Sequence, residues 1–489
     1  MMTFKEFEAL AKEYKTVPVY ERILSDLLTP ISAYMRLSQN SDYAFLLESV
    51  EKGTQYSRYS FIGIHPKKIL IHKNDATSIL ENGQVQMVSE PYLDVLRGIT
   101  HQYKTPILQD IPKFTGGLVG FLGYETIKWI EDIPTYPADS GDIPDALFML
   151  FENILAFDHL KHETIVFSNV NVAGTSNLKE LYNRARKRID HLGESLHSDI
   201  NYQSPEKGDF SDVKSNMTQE NFESAVKRAK DYIEAGDIFQ VVLSQCFHRK
   251  TSTDPMTIYR ALRTINPSPY MFHLKLKDFD IIGASPELLV KVEDQTVEIR
   301  PIAGTRQRGK TVEDDQTLAK ELLSDEKEKA EHLMLVDLGR NDVGKVSEFG
   351  TVNVEEFMKV ENYSHVMHIV SDIKGKLKDG LDSLDALMSG FPAGTLSGAP
   401  KIRAMEIIHE LEPTRRNVYS GAVGYIEFSG DINTCIAIRT MLIKDGIVYF
   451  QSGAGIVYDS EPSKEYDETV NKAKAITAAL DFAENGLVK

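Results

Sequence analysis

The feature that most constrains this chain is a helix whose inward face carries charge. The run Asp325-Glu-Lys-Glu328-Lys-Ala-Glu331-His-Leu-Met-Leu335-Val-Asp-Leu338-Gly339 predicts a helix with Ser324 as its N-cap, acids in the first turn and Gly339 as its stop. Residues three and four apart share a helix face. Glu328 and Glu331 therefore point together, on a stripe that continues through Leu335 and Leu338 toward a core. Two carboxylates aimed inward repel each other unless a cation joins them or one takes up a proton. The pattern recurs near the C-terminus, where Glu465-Tyr-Asp-Glu468-Thr-Val-Asn-Lys472 opens a second helix, capped by Ser463 and running to Phe482. A lone Glu-x-x-Glu is ordinarily a solvated helix face. Two such pairs brought together form an all-oxygen pocket suited to a hard divalent cation such as Mg²⁺, which leaves coordination positions for water or an anionic ligand.

Length and charge narrow the remaining possibilities. A chain of 489 residues exceeds the usual single-domain size. With 55 basic against 72 acidic residues the formal charge is -17, a surface that repels phosphate backbones and anionic membranes, so neither nucleic acid nor membrane is expected as a partner. An anionic small substrate must then be held by local cations, which directs attention to Lys401, Arg439 and Lys472. The only cysteines, Cys246 and Cys435, lie in apolar strand-like runs and read as small core residues rather than a disulfide. No signal-peptide core and no 18-residue apolar run occurs, so the chain reads as cytoplasmic.

Organisation follows from pattern. After a short amphipathic helix in residues 1–15, β-rich runs with turn signals extend from Val17 to about Phe167. A charged helix is predicted over Leu178–Leu192, and the polar stretch Leu196–Ser215 reads as a linker. Beyond it helices (Gln219–Glu234, Pro255–Thr264, Ser324–Gly339, Ser383–Met388, Ala399–His409, Ser463–Phe482) alternate with apolar strands. The expected fold class is α/β or α+β, with an N-terminal β-rich region (1–200) and a larger C-terminal region (216–485). Gly453-Ala-Gly455 begins like a dinucleotide-binding loop, but Tyr458 occupies the third glycine position and a polar loop follows. The glycines of Gly116–Gly123 sit in an apolar strand pattern and read as structural.

Several further blocks carry a family signature. They are Glu234-Ala-Gly-Asp-Ile-Phe-Gln-Val-Val-Leu-Ser-Gln245, Gly283-Ala-Ser-Pro-Glu-Leu-Leu289, Arg300-Pro-Ile-Ala-Gly-Thr-Arg306, Glu331-His-Leu-Met-Leu-Val-Asp337, Val366-Met-His368, Gly394-Thr-Leu-Ser-Gly-Ala-Pro-Lys401, Gly421-Ala-Val-Gly-Tyr425, Cys435-Ile-Ala-Ile-Arg439 and Gly453-Ala-Gly455. In this order, with the Glu465 helix after them, they resemble the chorismate-utilising enzymes, and among these the large synthase subunits (component I) of anthranilate synthases. Phe45-Leu-Leu-Glu48-Ser49 and Arg58-Tyr-Ser-Phe-Ile-Gly63 extend the likeness over nearly the whole chain. The resemblance implies two stacked antiparallel sheets flanked by helices, with both parts of the chain contributing strands.

It also implies the chemistry. Chorismate carries a ring carboxylate and an enolpyruvyl carboxylate. One would lie on Mg²⁺ bound by Glu331 and Glu468, with Glu328 and Glu465 in a second, water-bridged layer. The other would meet Arg439, a planar fork, Lys472, a point charge, and the Gly453-Ala454-Gly455 backbone; Thr395 and Tyr419 are placed near the same end. Glu287 is the candidate acid that protonates the departing ring hydroxyl. His368 would assist the elimination, and Thr305 would orient the substrate. Taken alone, each has a plainer reading: a strand-end Glu, a satisfied core His, a surface Arg and a glycine turn.

Two positions separate this subunit from its relatives. Aminodeoxychorismate synthases usually have a lysine where Ala303 stands, and that lysine attacks ring C2. Isochorismate and salicylate synthases have a lysine base at the position of Gln240, and glutamine cannot take a proton from water. Both residues favour direct attack of ammonia and anthranilate as product. Neither cysteine lies in a nucleophile turn, so ammonia is expected from a separate glutamine amidotransferase subunit (component II) in a heterotetramer. Glu48, Ser49, Asn266, Pro267, Pro269, Tyr270, Met271, Phe272, Tyr425 and Cys435 resemble an L-tryptophan feedback pocket, in which an acid suits the α-ammonium and Met271 and Phe272 suit an indole. Asn-Pro-Ser-Pro alone is also simply a rigid loop. The rivals are aminodeoxychorismate synthase, a non-catalytic amino-acid sensor with this fold, and a nicotinamide oxidoreductase, which lacks its glycine loop here.

Overall fold

The computed structural model describes residues 1–50, 58–134, 142–175, 177–200, 207–363 and 366–488. Two antiparallel sheets, each of twelve strands, dominate it. The first runs from Thr16–Leu24 at one edge, through Tyr43–Glu48, Tyr270–Leu276 and Asp280–Ser285, to Ile447–Ile456, Gln240–Lys250 and Lys214–Ser215 at the other. The second runs from Ile302–Gln307 and Val366–Lys376, through Ile432–Ile436, Ala422–Glu427 and Gly117–Leu122, to Gln84–Val88.

Both sheets are joined across the two predicted regions. Tyr43–Glu48 pairs with Tyr270–Leu276 in the first sheet, and Gly117–Leu122 pairs with Ala422–Glu427 in the second. Residues 201–206 of the predicted linker lie outside the described residues.

Strand periodicity explains the layers. In Tyr43–Glu48, Ala44 and Leu46 turn outward into a cluster with the helices, while Phe45 turns inward. The inner layer draws Phe45, Phe272 and Leu274 from one sheet and Val119, Phe121 and Val423 from the other. The outer face of the second sheet is covered by helices bearing Leu96, Val336, Val343, Leu387 and Met405. Among the described residues no helix is long and apolar enough to cross a membrane.

Helix boundaries depart from the sequence reading in instructive ways. The acidic helix spans Glu326–Val346, and its N-cap is Asp325, whose side chain accepts the amide hydrogens of Lys327 and Glu328. Ser324 instead ends a preceding helix, Val312–Ser324, which the apolar periodicity did not disclose. Its start was marked by a capping box, Thr311 with Asp314. Gly339 does not stop the acidic helix. It lies in mid-helix, where a Cβ would stand 2.7 Å from Ile373 Cδ1, so its function is close packing. The C-terminal helix spans Pro462–Glu484, with Glu461 rather than Ser463 at the N-cap and Pro462 in the first turn.

Candidate active site

The candidate acid, Glu287, follows the strand Asp280–Ser285 and is buried at 7% exposure. The Thr395 hydroxyl donates to its Oε1 at 3.0 Å. Burial pushes its carboxyl up to about 8, against the opposing pull of the Thr395 hydrogen bond and the charges of Arg439 and Lys472. A carboxyl neutral at pH 7 and hidden from bulk water has a proton to give.

A β-bulge creates the next part of the site. Between Ile302–Gln307 and Val366–Lys376 the register slips, so Ala303 pairs with Ile369 and Thr305 with His368, leaving Gly304 unpaired. Gly304 has φ +67°, and a Cβ there would stand 3.1 Å from Glu328 Oε2. The bulge thus needs glycine and brings the strand against the acidic helix. His368 Nδ1 lies 2.9 Å from the Gly304 carbonyl oxygen and 3.1 Å from the Thr305 hydroxyl. The carbonyl only accepts, so the hydrogen-bond network assigns the proton to Nδ1 and leaves Nε2 with the basic lone pair. Burial holds the ring below the ordinary histidine range, with the Arg439 charge acting in the same direction. His368 is therefore neutral at pH 7.

Arg439 stands between the strands Ile432–Ile436 and Thr440–Lys444 with φ +48°. Its charge acts on Glu287 and His368 alike, and its Nη1 donates to Asn266 Oδ1 at 3.2 Å. Lys472 Nζ donates to the Gly453 carbonyl at 3.0 Å and pairs with Glu468 Oε1 at 2.7 Å. A Cβ on Gly453 would stand 3.0 Å from the Tyr419 hydroxyl, and one on Gly455 would stand 2.7 Å from Gln240 Nε2. The two glycines therefore make room for these side chains, while Ala454 turns its methyl into the opposite cluster with Leu243 and Ile456. Lys401, by contrast, is occupied elsewhere. It is partly buried and donates to Asp342 Oδ2 at 2.7 Å, tying its helix to the acidic one.

The four glutamates form an electrostatic cluster. Burial raises the Glu331 carboxyl, and the charges of Glu328 and Glu468 raise it further. Burial also raises Glu465, with Glu468 adding to it against the pull of a Ser460 hydrogen bond. Glu328 is engaged by Arg306 Nη1 at 3.3 Å. Among the described residues no three His, Cys, Asp or Glu side chains are gathered as a finished metal cage. The donor set nevertheless fits a hard cation: like charges from two helices act on one another, and such a cation relieves that repulsion.

The residues of the candidate tryptophan pocket are divided between the outer face of the first sheet and the layer between the two sheets. Glu48 and Met271 are cross-strand partners, with Met271 in the outer cluster. The Glu48 carboxylate accepts from Tyr259 Oη at 2.6 Å and Arg263 Nε at 3.0 Å, both from the Pro255–Ile265 helix. Tyr270, Phe272, Tyr425 and Cys435 belong to the inner layer, where Tyr425 stacks on Phe114 at 4.3 Å. Met271 and Phe272 are adjacent on a strand and so cannot grip one face of a ring together. At the strand ends, Ser49 Oγ and Asn266 Nδ2 are buried without a hydrogen-bond partner. Asn266 caps the helix and opens the Pro267–Pro269 loop, in which the Ser268 carbonyl accepts from the Val50 amide at 3.3 Å. Arg263, Tyr259 and Arg306 were not foreseen; only contact in three dimensions gives them partners.

Comparison with known proteins agrees with this geometry. Residues 42–478 match the model of the family described as chorismate binding enzyme. The chain is 47% identical to anthranilate synthase component 1 of Acetivibrio thermocellus, over 98% of each chain. It is 44% identical to that of Aquifex aeolicus, over 99% of this chain and 98% of the relative. The crystal structure of anthranilate synthase component I from Streptococcus pneumoniae TIGR4 superposes with a TM-score of 0.78 at 40% identity, covering 94% of this chain and 99% of that one. The menaquinone-specific isochorismate synthase of Escherichia coli shares the fold, with a TM-score of 0.71 at 18% identity over 97% of this chain and 98% of that one. The chain belongs to the chorismate-utilising enzymes, in the anthranilate synthase component 1 family.

Proposed function

We propose that the chain converts chorismate and ammonia to anthranilate and pyruvate through 2-amino-2-deoxyisochorismate, the first step of tryptophan biosynthesis. The observation that carries this reading is Glu287, a buried carboxyl whose burial pushes it up to about 8 and which feels the same Arg439 charge as His368. Ammonia adds at ring C2 as the C4–O bond breaks, Glu287 gives its proton to the hydroxyl, which leaves as water, and the Glu287 carboxylate regains a proton as the new C2 ammonium loses one. His368 Nε2 then takes the C2 proton as the enolpyruvyl C–O bond breaks, and the departing group takes up a proton to become pyruvate. Arg439 and Lys472 hold a carboxylate, Thr305 and Tyr419 orient the ring, and Gln240, without a basic nitrogen, leaves water unactivated.

Glu331 and Glu468, with Glu328 and Glu465 behind them, are the residues that would hold Mg²⁺, which when bound offsets the charge of the ring carboxylate. Ammonia comes from a separate glutamine amidotransferase. Burial pushes the thiols of Cys246 and Cys435 up to about 12, which makes both poor nucleophiles at neutral pH. Tryptophan inhibits by binding near Glu48, Ser49 and the Asn266–Phe272 segment, where two buried polar atoms lack partners.

The test is anthranilate fluorescence from the purified chain with chorismate, Mg²⁺ and ammonium. The signal should vanish with EDTA, fail when glutamine replaces ammonium without a partner subunit, and fall with tryptophan. A different chorismate product would replace this reading with a sister activity, and no chorismate consumption even with a partner subunit would leave a sensor. Full tryptophan inhibition of Ser49→Phe would remove the regulatory part alone.

A further inference from the structure

We propose that Arg416 is a positioning residue for the candidate acid, holding by the Leu396 carbonyl the turn that brings the Thr395 hydroxyl to Glu287. The inference rests on the functional reading above. Arg416 is buried to 2% exposure, yet each of its N–H donors has an acceptor. Nε and Nη2 grip the Glu412 carboxylate at 2.9 and 2.6 Å. Nη1 donates to the Leu396 carbonyl at 2.7 Å and to the Ser420 hydroxyl at 3.2 Å, and Nη2 also donates to the Val242 carbonyl at 2.8 Å. The guanidinium carbon lies 4.9 Å from the centre of the Tyr124 ring and 5.5 Å from that of Tyr419.

These acceptors come from segments that carry the proposed chemistry. Leu396 closes the short turn Gly394–Leu396, whose middle residue is Thr395. Val242 lies just beyond Gln240 on its strand, and its amide donates to the Ser397 carbonyl at 2.9 Å. The guanidinium therefore forks across the seam between strand and turn, with one arm on each side. Glu412 fixes the fork, because its Oε1 also accepts the Ser244 amide at 2.8 Å and the Ser244 hydroxyl at 2.7 Å on the same strand. Apolar side chains can hold a core as well as a buried ion pair does. What they cannot supply is a donor on the Leu396 carbonyl. Thr395, its neighbour in the chain, donates to Glu287 Oε1 at 3.0 Å, so the direction of the turn decides whether that hydroxyl meets the acid. The groups acting on Glu287 are this hydroxyl and the charges of Arg439 and Lys472, and the hydroxyl is the one borne by the turn.

The experiment follows kcat and KM for chorismate against pH, at fixed neutral ammonia and with Mg²⁺. It uses the full chain as wild type, Arg416→Lys, Thr395→Val, the double variant of these two, and Arg249→Lys. Lysine keeps a charge opposite Glu412 but lacks the planar fork that reaches Leu396. Arg416→Lys should lower kcat about tenfold while KM stays within about threefold. It should also move the alkaline limb of kcat up by about one pH unit, because a carboxylate that loses a hydrogen bond holds its proton more firmly. Thr395→Val should move the limb equally, and the double variant no further. Arg249 pairs with Asp481 and Glu484 at the far end of the same strand and serves as the control. Arg249→Lys should lower the thermal midpoint and leave the limb in place. A limb unmoved in Arg416→Lys, a limb moved as far in Arg249→Lys, or shifts that add in the double variant would each overturn the inference. If Arg416→Lys does not fold, the Glu412→Gln/Arg416→Met variant removes both charges together and must show the same shifted limb. A wild type that consumes no chorismate overturns the functional reading, whereas an active wild type whose variants keep its limb overturns this inference alone.

Discussion

At the scale of single residues, Glu287 shows how far environment alone can set chemistry. An ordinary glutamate loses its proton near pH 4.5, whereas burial carries this one to about 8. In the proposed reaction the acid form is the working form, so activity should be present below about pH 8 and fall above it, at fixed neutral ammonia. Replacing Glu287 by Gln should lower kcat by about 10²- to 10⁴-fold and remove that alkaline limb, as a pH profile of kcat will show. The same group has a stability consequence of definite sign. Its folded-state pKa lies above its unfolded value, so the native state binds the extra proton between about 4.5 and about 8. Its contribution to stability therefore declines as pH rises through that window. Gly304 is the other decisive residue. With φ +67° and Glu328 within reach of any added Cβ, Gly304→Ala should cost about 1–2 kcal/mol. It should also lower kcat by displacing Thr305 from His368, read by melting and steady-state kinetics together.

At the scale of elements, the two acidic helices matter most. Asp325 both caps the Glu326–Val346 helix and pairs with Arg306 Nη2 at 2.7 Å, and Arg306 in turn touches Glu328. Asp325→Ala should cost about 0.5–2 kcal/mol of stability. It should also shift the Mg²⁺ dependence of activity to higher concentration, because the first turn that presents Glu328 loses its anchor. A titration with Mg²⁺ after EDTA stripping checks this. The helix Val312–Ser324 shows what pattern reading misses. Only Asp315 and Leu322 are buried along it, so it carries almost no apolar period, and its capping box was the one available signal. Boundaries shifted for a related reason: Gly339 reads as a stop by propensity, yet packing against Ile373 keeps the helix going.

At the scale of the whole molecule, both sheets are sewn together from the two ends of the chain. Without residues before about 200, Tyr270–Leu276 loses Tyr43–Glu48 and Ala422–Glu427 loses Gly117–Leu122. The inner layer loses Phe45, Val119 and Phe121 at the same time. A fragment spanning 207–488 should therefore show no cooperative thermal transition and no chorismate-dependent fluorescence, whereas the full chain shows both.

The sequence by itself determined the fold class and the two glutamate-bearing helices, and it put forward Glu287, His368, Thr305 and Arg439 as candidates for the chemistry. Those rest on local periodicity and on motif blocks, both of which survive in one dimension. Only the tertiary structure decided the rest. It set the proton on Glu287 through burial, aimed His368 by a bulge at Gly304, withdrew Lys401 into a pair with Asp342, and placed Met271 and Phe272 on opposite faces. Protonation, register and hydrogen-bond partnership depend on which distant groups come within a few ångströms. That proximity is a property of the packed sheets and is not carried by any stretch of chain alone.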